Sequence, residues 1–447
     1  MKKILLLSLL LFCGTQLLFA APVSIGSSID GISNAYNTDY WDNGTGLGQP
    51  PQRTVFQTND QKYYILLADA GWDIFFKVSS DKGATWGSAS TIVTNSAVPP
   101  TNVGAPCLTG YLDSSNNLYV LFLGDSANIN NVNYMKLTYS GSGNWTSGSV
   151  LKISPPGNNR DCPQIVKDST GKLWVSYYAD GTGTGGPHIL TSDDDGGTWS
   201  PEITNFGAGN LNTGRNYSMP LMALFQDKPM VFYAIYSNAY PSLGTSPICY
   251  RYWDGSTWVP TLGTAATVVP NSGPTHYFSG QYSVAKNNYG GIETLHLAYY
   301  NNNNNRTDAK LCYQRLSGSP TNWTGYTKIA TIDYAATDTI INVQPKIVTS
   351  GNDLYCFWLK YDTSKQDYDI VYSKSSDNGV TWAAPVTAYT SPNPLWFSKV
   401  LLYSSRFGTY EDKTTEAGNA TAADVKNSVS GKLVSLGGDA VYFGSGT

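Results

Sequence analysis

Charge is scarce in this 447-residue sequence: Asp, Glu, Lys and Arg together make up 13% of it, with only four Glu, seven Arg and three His. The basic residues do not cluster and the formal net charge is -4, so nothing offers the electrostatic footprint that nucleic acid requires. Cysteine is equally thin. One of the six lies in the N-terminal apolar run, and Cys107, Cys162, Cys249, Cys312 and Cys356 are scattered, with no CxxC and no His/Cys ligand spacing. That pattern excludes a disulfide framework and supplies neither a metal site nor a cofactor site; a Cys249 to Cys312 bridge between neighbouring repeats is the one pairing to test. Long apolar runs are missing after residue 20. The opening "MKKILLLSLLLFCGTQLLFA" reads as an export signal over residues 1-20, and no later stretch is long enough to span a membrane. A secreted, periplasmic or cell-surface protein is expected.

What is present is 32 Tyr, 44 Gly and many Asn between short apolar runs, the composition of an all-β extracellular protein. One stretch recurs. In "SSDKGATWGS", Ser79, Asp81, Gly83, Thr85 and Trp86 are matched by Ser192, Asp194, Gly196, Thr198 and Trp199, and again by Ser375, Asp377, Gly379, Thr381 and Trp382. Weaker copies end on Trp145, Trp258 and Trp323, and the six Trp are 54 to 65 residues apart. A fixed long period marks a repeated structural unit.

Within each period four short β-like runs are separated by Gly/Asn/Asp turns, and the recurring stretch joins the third run to the fourth. Such units fit four-stranded blades arranged radially. The expected fold is therefore an all-β, six-bladed β-propeller over residues 53-394, with a seven-bladed ring as the alternative. Residues 21-52 are expected to pack on it, and residues 395-447 to form a short β-rich C-terminal extension or the start of a truncated second module. The box has a turn chemistry of its own: Asp and Ser cap backbone N-H groups, Gly supplies a positive φ, and Trp plugs the layer between sheets. The extra acid in "SDDDGG" belongs to the same turn, and no metal is expected there.

The S-x-D-x-G-x-T-W pattern resembles the Asp-box of the sialidase and BNR-repeat superfamily, and the order of the first unit is similar to that family's first blade. The resemblance implies a propeller whose Asp-boxes lie away from the catalytic mouth. It also implies three Arg for a substrate carboxylate, a Tyr activated by Glu as nucleophile, and an Asp acid/base. Arg53, Arg160 and Arg215 stand where a triad would, yet "QRTV" and "INVQPKIV" depart from the family pattern. Glu202, Glu293, Glu411 and Glu416 all fall outside the expected mouth loops. Sialidase activity itself is not expected.

Candidate ligand residues come from the segments that precede the first strand of each unit, because these gather at one end of a propeller. They are Arg53, Arg160, Arg215, Asn216 and Asn342 for binding, with His276, Tyr277, Tyr217 and Asp161 as catalytic candidates. Arg forks suit acidic sugars and Tyr faces suit sugar rings; the competing reading is that these side chains merely plug the channel. His188 and His296 are expected to be structural. The expected partner is an extracellular glycan or polysaccharide. Three functions stay open: glycan recognition with or without glycosidase activity, a non-catalytic adhesive or scaffold role, and a polysaccharide lyase acting on uronates.

Overall fold

The computed structural model describes residues 24-29, 55-68, 73-81, 85-94, 108-124, 131-141, 144-155, 160-179, 186-204, 215-217, 220-237, 248-262, 266-269, 282-301, 310-332, 345-350, 352-362, 367-389, 429-436 and 439-446. Among them all regular structure is strand, in seven antiparallel sheets. Six sheets follow chain order. The first is Val55–Gln57, Tyr63–Ala68, Ile74–Ser79 and Ser90–Val93. The second is Thr109–Leu112, Leu118–Leu123, Val132–Gly141 and Leu151–Lys152, with Asn144–Ser147 also on its third strand. The third is Arg160–Lys167, Leu173–Ala179 and Gly186–Ser192, with Ile203 bridged to Ile189 in the fourth position.

The fourth sheet is built from Leu221–Phe225, Lys228–Ser237, Ile248–Trp253 and Ala266–Val269, and Arg215–Tyr217 and Trp258–Val259 add short pairings to it. The fifth is Tyr282–Tyr289, Ile292–Asn301, Lys310–Ser317 and Thr327–Thr331; the sixth is Lys346–Ser350, Asp353–Asp362, Asp367–Ser375 and Val386–Tyr389. A seventh sheet joins the chain's two terminal regions, ordering Ser24–Ile29, Val429–Leu436 and Asp439–Gly446.

Alternation of apolar residues on two-faced strands demands a cover on each face, and the neighbouring sheet supplies it. Five buried cores each combine residues of two consecutive sheets, from the first and second through to the fifth and sixth. The first strands also lie side by side: Thr109–Leu112 packs on Arg160–Lys167, which packs on Leu221–Phe225, and the row continues through Tyr282–Tyr289 to Lys346–Ser350. The Trp of each repeat plugs the layer as its sequence setting indicates. Trp145, Trp199, Trp258, Trp323 and Trp382 pack into the core between their own sheet and the preceding one.

The Asp of the box is a turn clamp. Asp81 accepts from Ser79 Oγ at 2.7 Å, from the Thr85 N-H at 2.8 Å and from Thr85 Oγ1 at 2.6 Å; Asp194 and Asp377 repeat the arrangement with Ser192, Thr198, Ser375 and Thr381. Bonds from the Thr hydroxyl, the Thr N-H and the Ser hydroxyl hold the Asp81 and Asp194 carboxyls down at about 2. Every oxygen of the carboxylate is thereby committed to the turn.

The box Gly is required for two reasons at once. Gly196 and Gly379 have φ of +94° and +83°, and a Cβ on either would overlap the ring of a Tyr from the preceding sheet, Tyr134 and Tyr313 respectively. Those rings meet the box Trp edge-on, Tyr134 with Trp199 at 5.2 Å and Tyr313 with Trp382 at 5.3 Å between centroids. The box is a joint between sheets as well as a turn within one. Gly83 lies outside the described residues.

The one cysteine pairing singled out for testing is not made. Cys249 and Cys312 are free, buried thiols with no bridge between them. They occupy corresponding strand positions but sit in different cores, Cys249 between the third and fourth sheets and Cys312 between the fourth and fifth. The repeat that makes the two cysteines look like partners is what separates them by one sheet.

Candidate functional site

The third sheet shows how its two ends differ. Arg160–Lys167 begins at Arg160, opposite Ala179, and ends at Lys167, opposite Leu173. Leu173 is in turn paired with Ser192 at the start of the box. Seven residues of strand span about 23 Å, so Arg160 and the Asp-box stand at opposite ends of the same sheet.

The box end is closed by charge. Lys167 Nζ lies 2.8 Å from Asp195 Oδ1 and 3.7 Å from Asp113 Oδ2, Lys136 also pairs with Asp195, and the Tyr119 hydroxyl donates to Asp195 at 2.8 Å. Asp195, the acid that makes "SDDDGG" look like a cation loop, is thus committed to two lysines of the second and third sheets.

The other end carries a different cluster, one residue from each of the four strand positions. Arg160 opens the first strand, Tyr177 sits on the second, His188 faces it across the third, and Glu202 comes from the segment bridged by Ile203. The Tyr177 hydroxyl donates to Glu202 Oε1, and His188 Nδ1 lies 3.0 Å from the same oxygen. Arg160 and Tyr177 are 3% and 0% exposed, whereas the His188 and Glu202 side chains keep 11% and 15%.

Burial pushes the Glu202 carboxyl up, but bonds from His188 and Tyr177 and the charges of His188 and Arg160 outweigh it, so it stays below the ordinary range. Burial first, and then the bond to Glu202, drive the Tyr177 hydroxyl far above the phenol range. Tyr177 is buried in the core between the second and third sheets and its hydroxyl is held by Glu202; a Tyr–Glu pair is also what the family resemblance implies.

Arg215, Asn216 and Tyr217 form the strand Arg215–Tyr217, paired with Ser237, Tyr236 and Ile235 ahead of Leu221–Phe225 on the same partner strand. Arg215 therefore opens the inner edge of the fourth sheet as Arg160 opens that of the third. Asp161 lies in Arg160–Lys167 next to the irregularity between Asp161 and Gln164. Arg53, His276, Tyr277 and Asn342 lie outside the described residues.

His296 is structural. Its Nδ1 lies 2.7 Å from the Tyr313 hydroxyl and its Nε2 2.8 Å from Asn287 Oδ1, and burial, aided by the Arg315 charge, lowers its pKa to about 3. Glu202 and His188 were the residues that sequence spacing set aside. The antiparallel return of the fourth-position segment carries Glu202 back to the end where Arg160 begins, and no local motif announces that pairing. No group of three or more His, Cys, Asp or Glu suited to a metal ion occurs among the described residues, and no helix there is long and apolar enough to cross a membrane.

No family model matches the chain, and no curated protein does. Among solved structures, the chain is similar to an ulvan lyase representing a new family of polysaccharide lyase, with 9% identity, 94% of this chain and 97% of that chain covered, and a TM-score of 0.52. The ulvan lyase bound to -[GlcA(1-4)Rha3S]- is similar over the same shares at 10% identity with a TM-score of 0.51. An α-L-arabinofuranosidase from Fusarium graminearum shares 13% identity over 78% of this chain and 98% of that one, with a TM-score of 0.45. The likeness is one of fold, and these neighbours are glycan-active enzymes.

Proposed function

We propose that the protein is an exported six-bladed β-propeller, spanning about residues 53-394, that recognises an extracellular polysaccharide at the end where its first strands begin. The observation that carries this reading is the placement of Arg160 and Arg215 at the openings of adjoining inner strands, at the end of the sheets away from the box. Two of only seven arginines stand there, and guanidinium forks match the carboxylate and sulfate groups of acidic sugars. The fold likeness to an ulvan lyase supports an acidic polysaccharide as the first ligand class to test. Residues 1-20 direct export in this reading, and residues 21-52 and 395-447 lie outside the ring.

A panel of ulvan, alginate, pectin and neutral arabinan separates the functions. Retention of an acidic glycan with rising absorbance from an unsaturated sugar identifies a lyase, new reducing ends without that absorbance identify a hydrolase, and retention alone identifies a binding module. No retention of any acidic glycan overturns the proposal.

Closure of the ring has its own test. The third strands of the first, fourth, fifth and sixth sheets each carry a register shift, and the second residue after it begins is Phe76, Tyr250, Tyr313 and Tyr372. The first three meet the Trp of the next repeat edge-on, Phe76 with Trp145 at 5.2 Å, Tyr250 with Trp323 at 5.8 Å and Tyr313 with Trp382 at 5.3 Å. By the same rule a closed ring would bring Tyr372 of the sixth sheet to Trp86 of the first. Edge-on aromatic pairs contribute about 1 kcal/mol beyond their burial. A double-mutant cycle on Tyr372→Leu and Trp86→Leu is expected to give a coupling of about that size; independent effects would mean that the two sheets do not join.

A further inference from the structure

Two polar side chains are buried in the third sheet on the side away from Tyr177. Gln164 on the first strand is paired across the sheet with Ser176 on the second, and the two residues are 3% and 0% exposed. Among the described residues, neither Gln164 Nε2 nor Ser176 Oγ has a hydrogen-bond partner. Buried polar groups are nearly always satisfied, so two that adjoin and are not require an explanation. Their surroundings are apolar. Strand alternation puts the pair in one row with Val166 and Trp174, and Ser176 is flanked on the third strand by Ile189; all three belong to the core between the third and fourth sheets.

Backbone pairing is interrupted at the same level. The register of the first strand shifts between Asp161 and Gln164, around Pro163, which has no N-H to give. On the adjoining inner edge of the fourth sheet, Tyr217 pairs with Ile235 and Leu221 with Phe232, an advance of four positions on one strand against three on the other. Irregularities of this kind leave a residue out of the ladder and recur beside binding sites.

We infer that Gln164 and Ser176 form a binding site for one neutral hydroxyl in the layer between the third and fourth sheets. The amide nitrogen donates and the serine hydroxyl can donate or accept, so a group that does both satisfies the two together. An ion does not suit the place, because neither side chain carries a charge to offset its desolvation. The hydroxyl has two possible sources: a resident water, which bonds to two to four buried polar groups at once, or a sugar hydroxyl of a bound glycan. Only the second source rests on the proposed reading of function.

The sign of a small substitution tests the site. Removing a buried group that bonds to nothing leaves stability unchanged or raises it, whereas removing one of two groups that share a molecule strands the other. Ser176→Ala and Gln164→Met are each expected to lower the folding equilibrium constant about fivefold in denaturant unfolding. The double variant is expected to be about as stable as either single one, because the shared molecule is lost in all three.

Unfolding with and without ulvan oligosaccharide separates the sources. A loss already present without glycan identifies a resident water, and a loss that appears only at saturating glycan identifies a sugar hydroxyl. Single variants as stable as the wild type or more so in both conditions, or losses that simply add in the double variant, overturn the inference. Failure of the glycan reading looks different: ulvan oligosaccharide then leaves the unfolding midpoint of the wild type where it was, and the comparison without glycan decides alone.

Discussion

Replacing Gly379 by alanine is expected to lower stability by about 3 kcal/mol, of which about 1 to 2 reflects the left-handed backbone and the rest overpacking against a ring. The backbone contribution comes from its φ of +83°, and the packing contribution from the Tyr313 ring that the new Cβ would overlap. Gly318 separates the two. Its φ is +76° but nothing lies within 4 Å of the position a Cβ would take. Gly318→Ala is therefore expected to show the backbone cost alone, about 1 kcal/mol. Denaturant midpoints of the two variants measure the difference. Equal losses would mean that the box Gly serves only its turn, and that the joint between the fifth and sixth sheets does not depend on the Tyr ring lying over it.

The second large effect is expected at the other end of the sheets. Arg215→Ala removes the cation that opens the inner edge of the fourth sheet, and is expected to reduce affinity for an acidic polysaccharide about a hundredfold, the loss of a charge-assisted pair of hydrogen bonds. Stability should barely change if Arg215 serves the ligand. Asp194→Asn is the opposite case. Asp194 accepts from Ser192 and from both donors of Thr198, so its substitution loosens a turn while leaving the glycan-facing end as it is.

The contrast between these two variants reflects what a sequence of this kind discloses. The strict boxes at Trp86, Trp199 and Trp382 are legible because their Asp, Gly and Thr satisfy one another within seven residues. They set the register of the strands, and from that register the position of Arg160 follows. The degenerate copies at Trp145 and Trp323 keep only the Trp, because the core between sheets needs the ring even where another turn closes the hairpin.

Contacts made across sheets leave no such local trace. Nothing adjacent to Tyr134 indicates that it covers Gly196, 62 residues later in the sequence. Glu202 was hidden for a related reason: its distance from Arg160 along the chain is cancelled by three reversals of direction, and only the bridge between Ile189 and Ile203 shows where it returns. The cysteines show the limit of repeat logic. Corresponding positions in successive sheets look adjacent along the sequence, but Cys249 and Cys312 each face a separate core.

The division of labour between the two ends is the claim on which the rest depends. It is tested most directly by measuring ulvan-oligosaccharide affinity for the wild-type protein, Arg215→Ala and Asp194→Asn at a temperature where all three are folded. The predicted result is binding by the wild type, loss in Arg215→Ala and wild-type affinity in Asp194→Asn. Loss in Asp194→Asn with retention in Arg215→Ala would place recognition at the box end and contradict the account.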